Sequence, residues 1–300
     1  MDENQRHFTL AQATGLTPPE IRVLDIGAMP TATPRYQSLV DQGHAHLVEI
    51  EPNDRSLRSV PEEDRSKYVS AYLGDGEPAI FHDTLYPGCS SLLTPDPEVI
   101  NKFHTILCGP VNGNFTVLCE RPVETMRLDD LPGLPPIDYL SIDTQGSELS
   151  ILNNGHKVLE DVLILETEVE FLRLYKHQPL FGQLQMALDD LGFILHKLID
   201  IVGRPVRGWD VTPPLMPVSQ MLWADAIFIR DFNRMDRFSY VDLLKSAMVL
   251  NDVYLSYDIA FLHLREHDRR NGGELAKAYI SKFNEVRPTH RLYGNFKGKA

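Results

Sequence analysis

The segment Ile137-Asp138-Tyr139-Leu140-Ser141-Ile142-Asp143-Thr144-Gln145-Gly146-Ser147-Glu148 restricts the fold of this 300-residue chain more than any other. A short apolar run ends at a carboxylate, turns at a glycine and enters a helix with a second carboxylate. The run is bounded by a turn and too short for a helix, so it reads as a buried strand. In open α/β sheets, ligands bind beyond the carboxyl ends of the strands. Asp143 therefore stands where ligand contact or chemistry takes place.

The rest of the chain supplies the partners such a strand needs. Ile21 to Gly27 reads as a strand running into a glycine turn, and Tyr36 to Gly43 as a helix. His46 to Glu51 is a second strand ending in acid. Tyr68 to Leu73 is a third, closed by Gly74-Asp75-Gly76. This alternation predicts βαβ units and a mostly parallel sheet with helices on both faces. Short β-like runs at Ala79 to His82 and Phe115 to Glu120 sit in a Pro-, Gly- and Ser-punctuated region, 77–136, read as an insertion or cover. The rhythm returns with a helix near Ser147 to Asn154, stopped by a left-handed Gly155, and strands at Val162 to Thr167, Phe193 to Ile199 and Ala224 to Ile229. A helix starts at Phe181 and stops at Gly192, and a Pro- and Gly-rich loop covers Gly203 to Pro217. The expected organisation is a lead-in at 1–20, a main domain at 21–234 and a C-terminal helical extension at 235–300. Its apolar face, between Tyr240 and Leu264, needs burial on the domain or on another copy of the chain.

Charge and cysteine content narrow the function classes. The formal net charge of −13 argues against sequence-independent nucleic-acid binding, which needs Lys and Arg to neutralise phosphates. Cys89, Cys108 and Cys119 form no CxxC pair, so neither a disulfide framework nor a structural zinc is expected. A polar N-terminus and the lack of a long apolar run predict a cytoplasmic protein without membrane partners.

Gly27 follows Leu24-Asp25-Ile26, and a missing Cβ there lets backbone N–H groups come close to a ligand. Glu51 follows about 20 residues later, the spacing at which an acid reaches a ribose diol. The full GxGxxG of a dinucleotide site is absent, and Met29-Pro30 would make a poor pyrophosphate cradle. That weighs against a nicotinamide-dependent oxidoreductase. A nucleoside without phosphate, such as S-adenosylmethionine, suits the turn better. Asp75, in its Asp-Gly turn, is placed either to accept from an adenine amino group or to shape a plain surface turn.

Together these residues resemble the FkbM family of S-adenosylmethionine-dependent methyltransferases. The resemblance rests on Val23 to Ala28, Glu49 to Pro52, Ala71 to Glu77, Ser90 to Leu93, Arg127 to Leu131, Ile137 to Leu152, Leu165 to Leu180 and Leu222 to Phe228, in that order. It implies a Rossmann-like class I methyltransferase fold with a final antiparallel strand. The implied reaction is O-methylation of a hydroxyl on a saccharide or small natural product. It further implies cofactor contacts by Asp25, Gly27 and Ala28 with the methionine part, Glu51 with the ribose, Asp75 with the adenine and Ser91 close by. The family usually continues Asp-Ile-Gly-Ala with Asn and Gly, where this chain has Met29-Pro30. A cofactor-binding module of the same fold without turnover is the alternative.

Methyl transfer to a hydroxyl needs the acceptor aligned and its proton held or removed. Asp143 is the first candidate base, with a turn-forming role as its alternative. Glu148 starts the following helix, where the dipole favours its ionised form. Glu166, Glu168 and Glu170 alternate along the next strand and so share a face. With Asp143, and Glu168 foremost, they could form a carboxylate cluster that raises a pKa or binds a divalent metal through oxygen, or they could line a solvated edge. No ligand spacing supports the metal. His177, in a loop over the same edge, is the second candidate base. Trp209, Met216, Met221 and Trp223 could wall an apolar acceptor pocket or act as a lid, or simply cover the core, the reading that Trp223 favours because it immediately precedes a strand.

Overall fold

The computed structural model describes residues 7–28, 33–52, 66–110, 112–209 and 219–286. It divides into two compact units, Ile21–Asn233 and a second formed by Met1–Glu20 with Arg234–Ala300. Met29, Pro30 and Met216 lie outside the described residues.

The strands of the first unit are β1 (Ile21–Ile26), β2 (Ala45–Ile50), β3 (Ser66–Val69), β4 (Tyr72–Leu73), β5 (Pro78–Thr84), β6 (Val117–Met126), β7 (Tyr139–Ile142), β8 (Ile164–Glu170), β9 (Phe193–Gly203) and β10 (Met221–Arg230). Seven of them make one sheet in the order β3-β2-β1-β7-β8-β10-β9. The first five in that order run parallel. β10 is antiparallel to both β8 and β9. A mostly parallel sheet closed by one antiparallel strand is the class I methyltransferase arrangement that the resemblance implies.

The central strands are apolar on both faces, as strands covered on both sides must be. Leu24, Ile26, Leu140, Ile142, Leu165 and Val169 pack on one face with Ile151, Leu152, Leu159, Leu184 and Leu188. The latter five come from α4 (Glu148–Asn153), α5 (His156–Asp161) and α6 (Phe181–Asp190). Asp25 alternates with Leu24 and Ile26 and so faces the other way. There the Tyr36 hydroxyl, at the start of α2 (Gln37–Asp41), donates to it.

Two expectations need correction. The run Tyr68 to Leu73 is not one strand. β3 ends at Val69 in the main sheet, and β4 starts at Tyr72 in a second sheet ordered β4-β6-β5. The cover region thus holds its own antiparallel pair, with Ile80 opposite Pro122 and His82 opposite Glu120. Gly155 is not a left-handed cap: its φ is −130° and it precedes α5. What excludes a side chain there is packing, since a Cβ would lie 2.6 Å from Leu128 Cδ2.

The second unit joins α1 (Leu10–Thr14) to α7 (Tyr240–Asp252), α8 (Tyr257–Asn271) and α9 (Leu275–Val286). Phe8 stacks on Tyr257 and meets Tyr279 edge-on. The buried Asn251 amide donates to the Phe8 carbonyl at 2.9 Å and accepts from the Tyr279 hydroxyl at 2.6 Å. Among the described residues, no helix is long and apolar enough to cross a membrane.

Candidate active site

A cavity of about 890 Å³ opens at the carboxyl edge of the parallel strands. It centres on the point where the sheet order reverses, between β1 and β7, which is where open α/β sheets bind ligands. The volume falls within the roughly 300–1,000 Å³ of small-molecule sites.

Gly27 forms the floor. Its N–H donates to the Ile50 carbonyl at 2.8 Å, so that group is committed to the sheet. The glycine is required for another reason. Its φ is +85°, and a Cβ would fall 1.8 Å from the Asp143 carbonyl oxygen. Beside it Asp25 is buried, with its pKa raised to about 6. Desolvation is the main cause, partly offset by hydrogen bonds from Tyr36 and Ser141. Glu51, one residue past β2, is also buried and lines the cavity. Ile50, Leu73 and Phe81 add an apolar wall at that end.

Asp143 stands one residue past β7, its N–H bonded to the Ile26 carbonyl at 2.9 Å. Its side chain is exposed to the cavity, yet the protein around it raises its pKa to about 7. Loss of bulk solvent is the largest cause, and the charges of Glu148, Asp225 and Asp25 add to it. Gln145 follows in a left-handed conformation, φ +58°. Its amide nitrogen donates to Asp143 Oδ1 at 2.8 Å and to Glu168 Oε2 at 2.7 Å. Its oxygen lies 3.1 Å from the Tyr175 hydroxyl. Burial pushes Glu168 and Glu170 well above the usual carboxylate range; the charges of Asp143 and Glu170 push Glu168 further, and those of Glu148 and Asp143 push Glu170. The Glu170 carboxylate accepts from Gln178 Nε2 at 2.7 Å.

Glu148 does not face the cavity. Its buried carboxylate accepts from the Thr144 N–H at 2.8 Å, the Thr144 hydroxyl at 3.0 Å and the Gly146 N–H at 2.9 Å. It therefore fixes the turn that carries Asp143 and Gln145.

The far end is built on β8, β9 and β10. The Arg35 guanidinium bonds to Glu166 and Asp200, and to Asp225 at 2.7 Å. The Tyr139 hydroxyl donates to Glu166 at 2.7 Å. Trp223 forms part of the wall, with the Arg204 guanidinium 5.3 Å from its ring centroid. Cys89 lines the cavity from the covering loops, and burial pushes its thiol up to about 12.

Of the residues expected from sequence, Asp25, Gly27, Glu51, Asp143 and Glu168 meet around this cavity. Four do not line it. His177 is exposed on its loop at φ +62°, while its neighbour Gln178 turns inward. Asp75 is exposed and accepts from the Glu77 N–H at 3.1 Å, the plain surface turn. Ser91 is buried behind the wall, its hydroxyl donating to the Gln145 carbonyl at 2.7 Å. Ala28 is buried. Trp209 and Met221 are exposed and also off the cavity. Gln145 and Arg35 join the site without having been expected from sequence. Gln145 was visible as the polar residue inside the Asp-Thr-Gln-Gly turn, whereas nothing in the pattern around Arg35 distinguishes it. Among the described residues, no group of three or more His, Cys, Asp or Glu side chains is arranged to hold a metal ion.

A family model described as the methyltransferase FkbM domain matches residues 25–195, more than half of the chain. The chain belongs to the FkbM methyltransferase family. It is accordingly an S-adenosylmethionine-dependent methyltransferase by family and fold. No curated protein matches this chain. Among solved structures it is similar to magnesium protoporphyrin IX methyltransferase from Synechocystis, at 10% identity over 71% of each chain and a TM-score of 0.35. It is also similar to precorrin-6y C5,15-methyltransferase from Geobacter metallireducens, at 12% identity over 74% of this chain and 86% of that one, TM-score 0.34. At such scores these likenesses add nothing to the family assignment.

The FkbM-family cavity suits a cationic nucleoside. Asp25, Asp143, Glu168 and Glu170 surround it with raised pKa values. Among the described residues their partners are hydroxyls and amides rather than Lys or Arg.

Proposed function

We propose that this FkbM-family protein methylates a hydroxyl oxygen on a saccharide or small natural product, with Asp143 as the base. One observation carries the reading: a carboxylate open to the cavity, next to the cofactor-side turn at Gly27, with a pKa raised to about 7. A group that titrates near the working pH is the efficient acceptor for a hydroxyl proton.

Bound S-adenosylmethionine supplies a methyl group already activated by the sulfonium charge. Glu51 accepts hydrogen bonds from the ribose hydroxyls. The apolar wall of Ile50, Leu73 and Phe81 receives the adenine ring. Asp25 faces the cationic part of the cofactor. Asp143 takes the proton of the acceptor hydroxyl as its oxygen becomes the nucleophile. Glu168, whose carboxyl burial pushes well above the usual range, orients the acceptor by hydrogen bonding. Trp223 and the covering loops enclose it. A pocket of this volume suits an acceptor of small-molecule size, and the net charge of −13 disfavours a polyphosphate chain.

The test is calorimetry with S-adenosylmethionine and S-adenosylhomocysteine, followed by transfer of labelled methyl across a panel of saccharide and small-molecule alcohols. Binding of both ligands, and label on oxygen of one acceptor class, is the expected result. No binding of either at millimolar ligand would end the proposal. Label appearing only on amines or RNA bases would replace its O-methylation part.

A further inference from the structure

Gln145 sits between the two carboxylates that matter most and belongs to neither strand end. Both of its amide hydrogens are used, one on Asp143 Oδ1 and one on Glu168 Oε2. Its oxygen faces the Tyr175 hydroxyl, and that hydroxyl also lies 2.8 Å from the Cys89 carbonyl. The orientation of the amide follows from its neighbours: the reverse assignment would set its oxygen against two carboxylate oxygens. The conformation is equally constrained. Gln145 holds φ +58° without being glycine, a backbone state sparsely populated by long side chains. Glu148 holds it there by binding the N–H groups of Thr144 and Gly146, and the Ser91 hydroxyl binds its carbonyl. A strained residue so held, with its amide spanning two acids, is expected at a functional site.

We propose that Gln145 is the positioning residue of this site: its amide bridges Asp143 and Glu168, so that Asp143 serves as the base and Glu168 keeps the proton. This deepens the O-methyltransferase reading and rests on it. The bridge works through unequal surroundings. Asp143 faces Asp25 of β1, Glu148 of α4 and Asp225 of β10. Glu168 faces Asp143 with Glu170 of its own strand, Glu148 and Asp225. Cys89 and Tyr175 stand beside both, uncharged. Arg35 is bonded to Glu166, Asp200 and Asp225, not to either bridged acid. With no Lys or Arg among the described residues bonded to the pair, a donor that gives one hydrogen to each oxygen is what lets Asp143 ionise beside a second acid. The Asp143 carboxylate, an acceptor only when ionised, fixes which end of the amide is the donor.

The experiment needs no methyl acceptor. Protein labelled with ¹³C at Asp and Glu carboxyl carbons is titrated by NMR from pH 5 to 9, with D143N and E168Q assigning the two signals. In the wild type Asp143 titrates first and Glu168 holds its proton to higher pH. Q145N keeps a residue that tolerates the left-handed turn but is one methylene too short to bridge. Its Asp143 midpoint rises by about one pH unit, as loss of a hydrogen bond to the charged form requires. Q145E, which keeps the length and places an oxygen toward both acids, raises it further. S-adenosylhomocysteine binding by calorimetry accompanies each variant and reports that the site is folded. If the homocysteine ligand binds and neither variant moves either midpoint, the positioning role is wrong and the cofactor reading stands. If the wild type binds no such ligand, the function proposed above fails and this role fails with it.

Discussion

The Cβ position of Gly27 coincides with the backbone of Asp143, 1.8 Å from its carbonyl oxygen. The end of β1 and the end of β7 therefore touch main chain to main chain, with no room for a side chain between them. G27A must push the two strand ends apart and hold alanine at φ +85°. We expect a loss of about 3 kcal/mol or more, measured by urea denaturation, together with loss of S-adenosylhomocysteine binding.

Stability should fall as pH rises from 5 to 8. Asp25 and Asp143 are raised from 3.8 to about 6 and about 7. Between their unfolded and folded pKa values the native state binds more protons than the unfolded chain. Their contribution is then complete below the unfolded value and is lost as pH climbs through the folded one. D143N removes one of these groups. Its advantage over the wild type in melting temperature should grow by about 2–4 °C between pH 5 and pH 8, by differential scanning calorimetry without ligand.

Glu51 tests the cofactor end separately. E51A should weaken S-adenosylhomocysteine binding about tenfold to a hundredfold, the loss of a charged acceptor for two hydroxyls. Calorimetry gives the number. An unchanged affinity would place the ribose elsewhere.

Arg35 and its three acids make a graded test. In R35A, Glu166 and Asp225, both largely shielded, lose their cation, at a cost of about 2 kcal/mol. D200N should change stability by less than about 0.5 kcal/mol, because the Asp200 side chain is 76% exposed. Both are read from chemical denaturation in the same buffer.

Much of the sheet was legible because parallel central strands must be apolar on both faces, so Ile21 to Ile26 and Tyr139 to Ile142 stand out as runs ending at Gly27 and Asp143. Alternation along β8 likewise revealed that Glu166, Glu168 and Glu170 share a face. The change of sheet between Val69 and Tyr72 was hidden, since the backbone turns within a run that reads as one strand. The pairing of β5 with β6 is set across a long intervening stretch, which no local pattern reports. Arg35 drew no attention because its partners come from β8, β9 and β10, more than a hundred residues away. His177 and Asp75 looked apt by residue type and position, but side-chain direction is decided by the loop's own conformation. One faces solvent and the other closes its own turn.

The four acids around the cavity have a consequence for how it fills. Each has a hydroxyl or amide beside it, and their raised pKa values mean that part of the set is neutral when no ligand is present. A cationic guest makes the ionised forms favourable and drives protons into the medium. The heat of binding should then change with the ionisation enthalpy of the buffer, and affinity should climb with alkalinity. The cavity is a small proton reservoir that empties as it is occupied, sorting its guests by charge before shape is consulted.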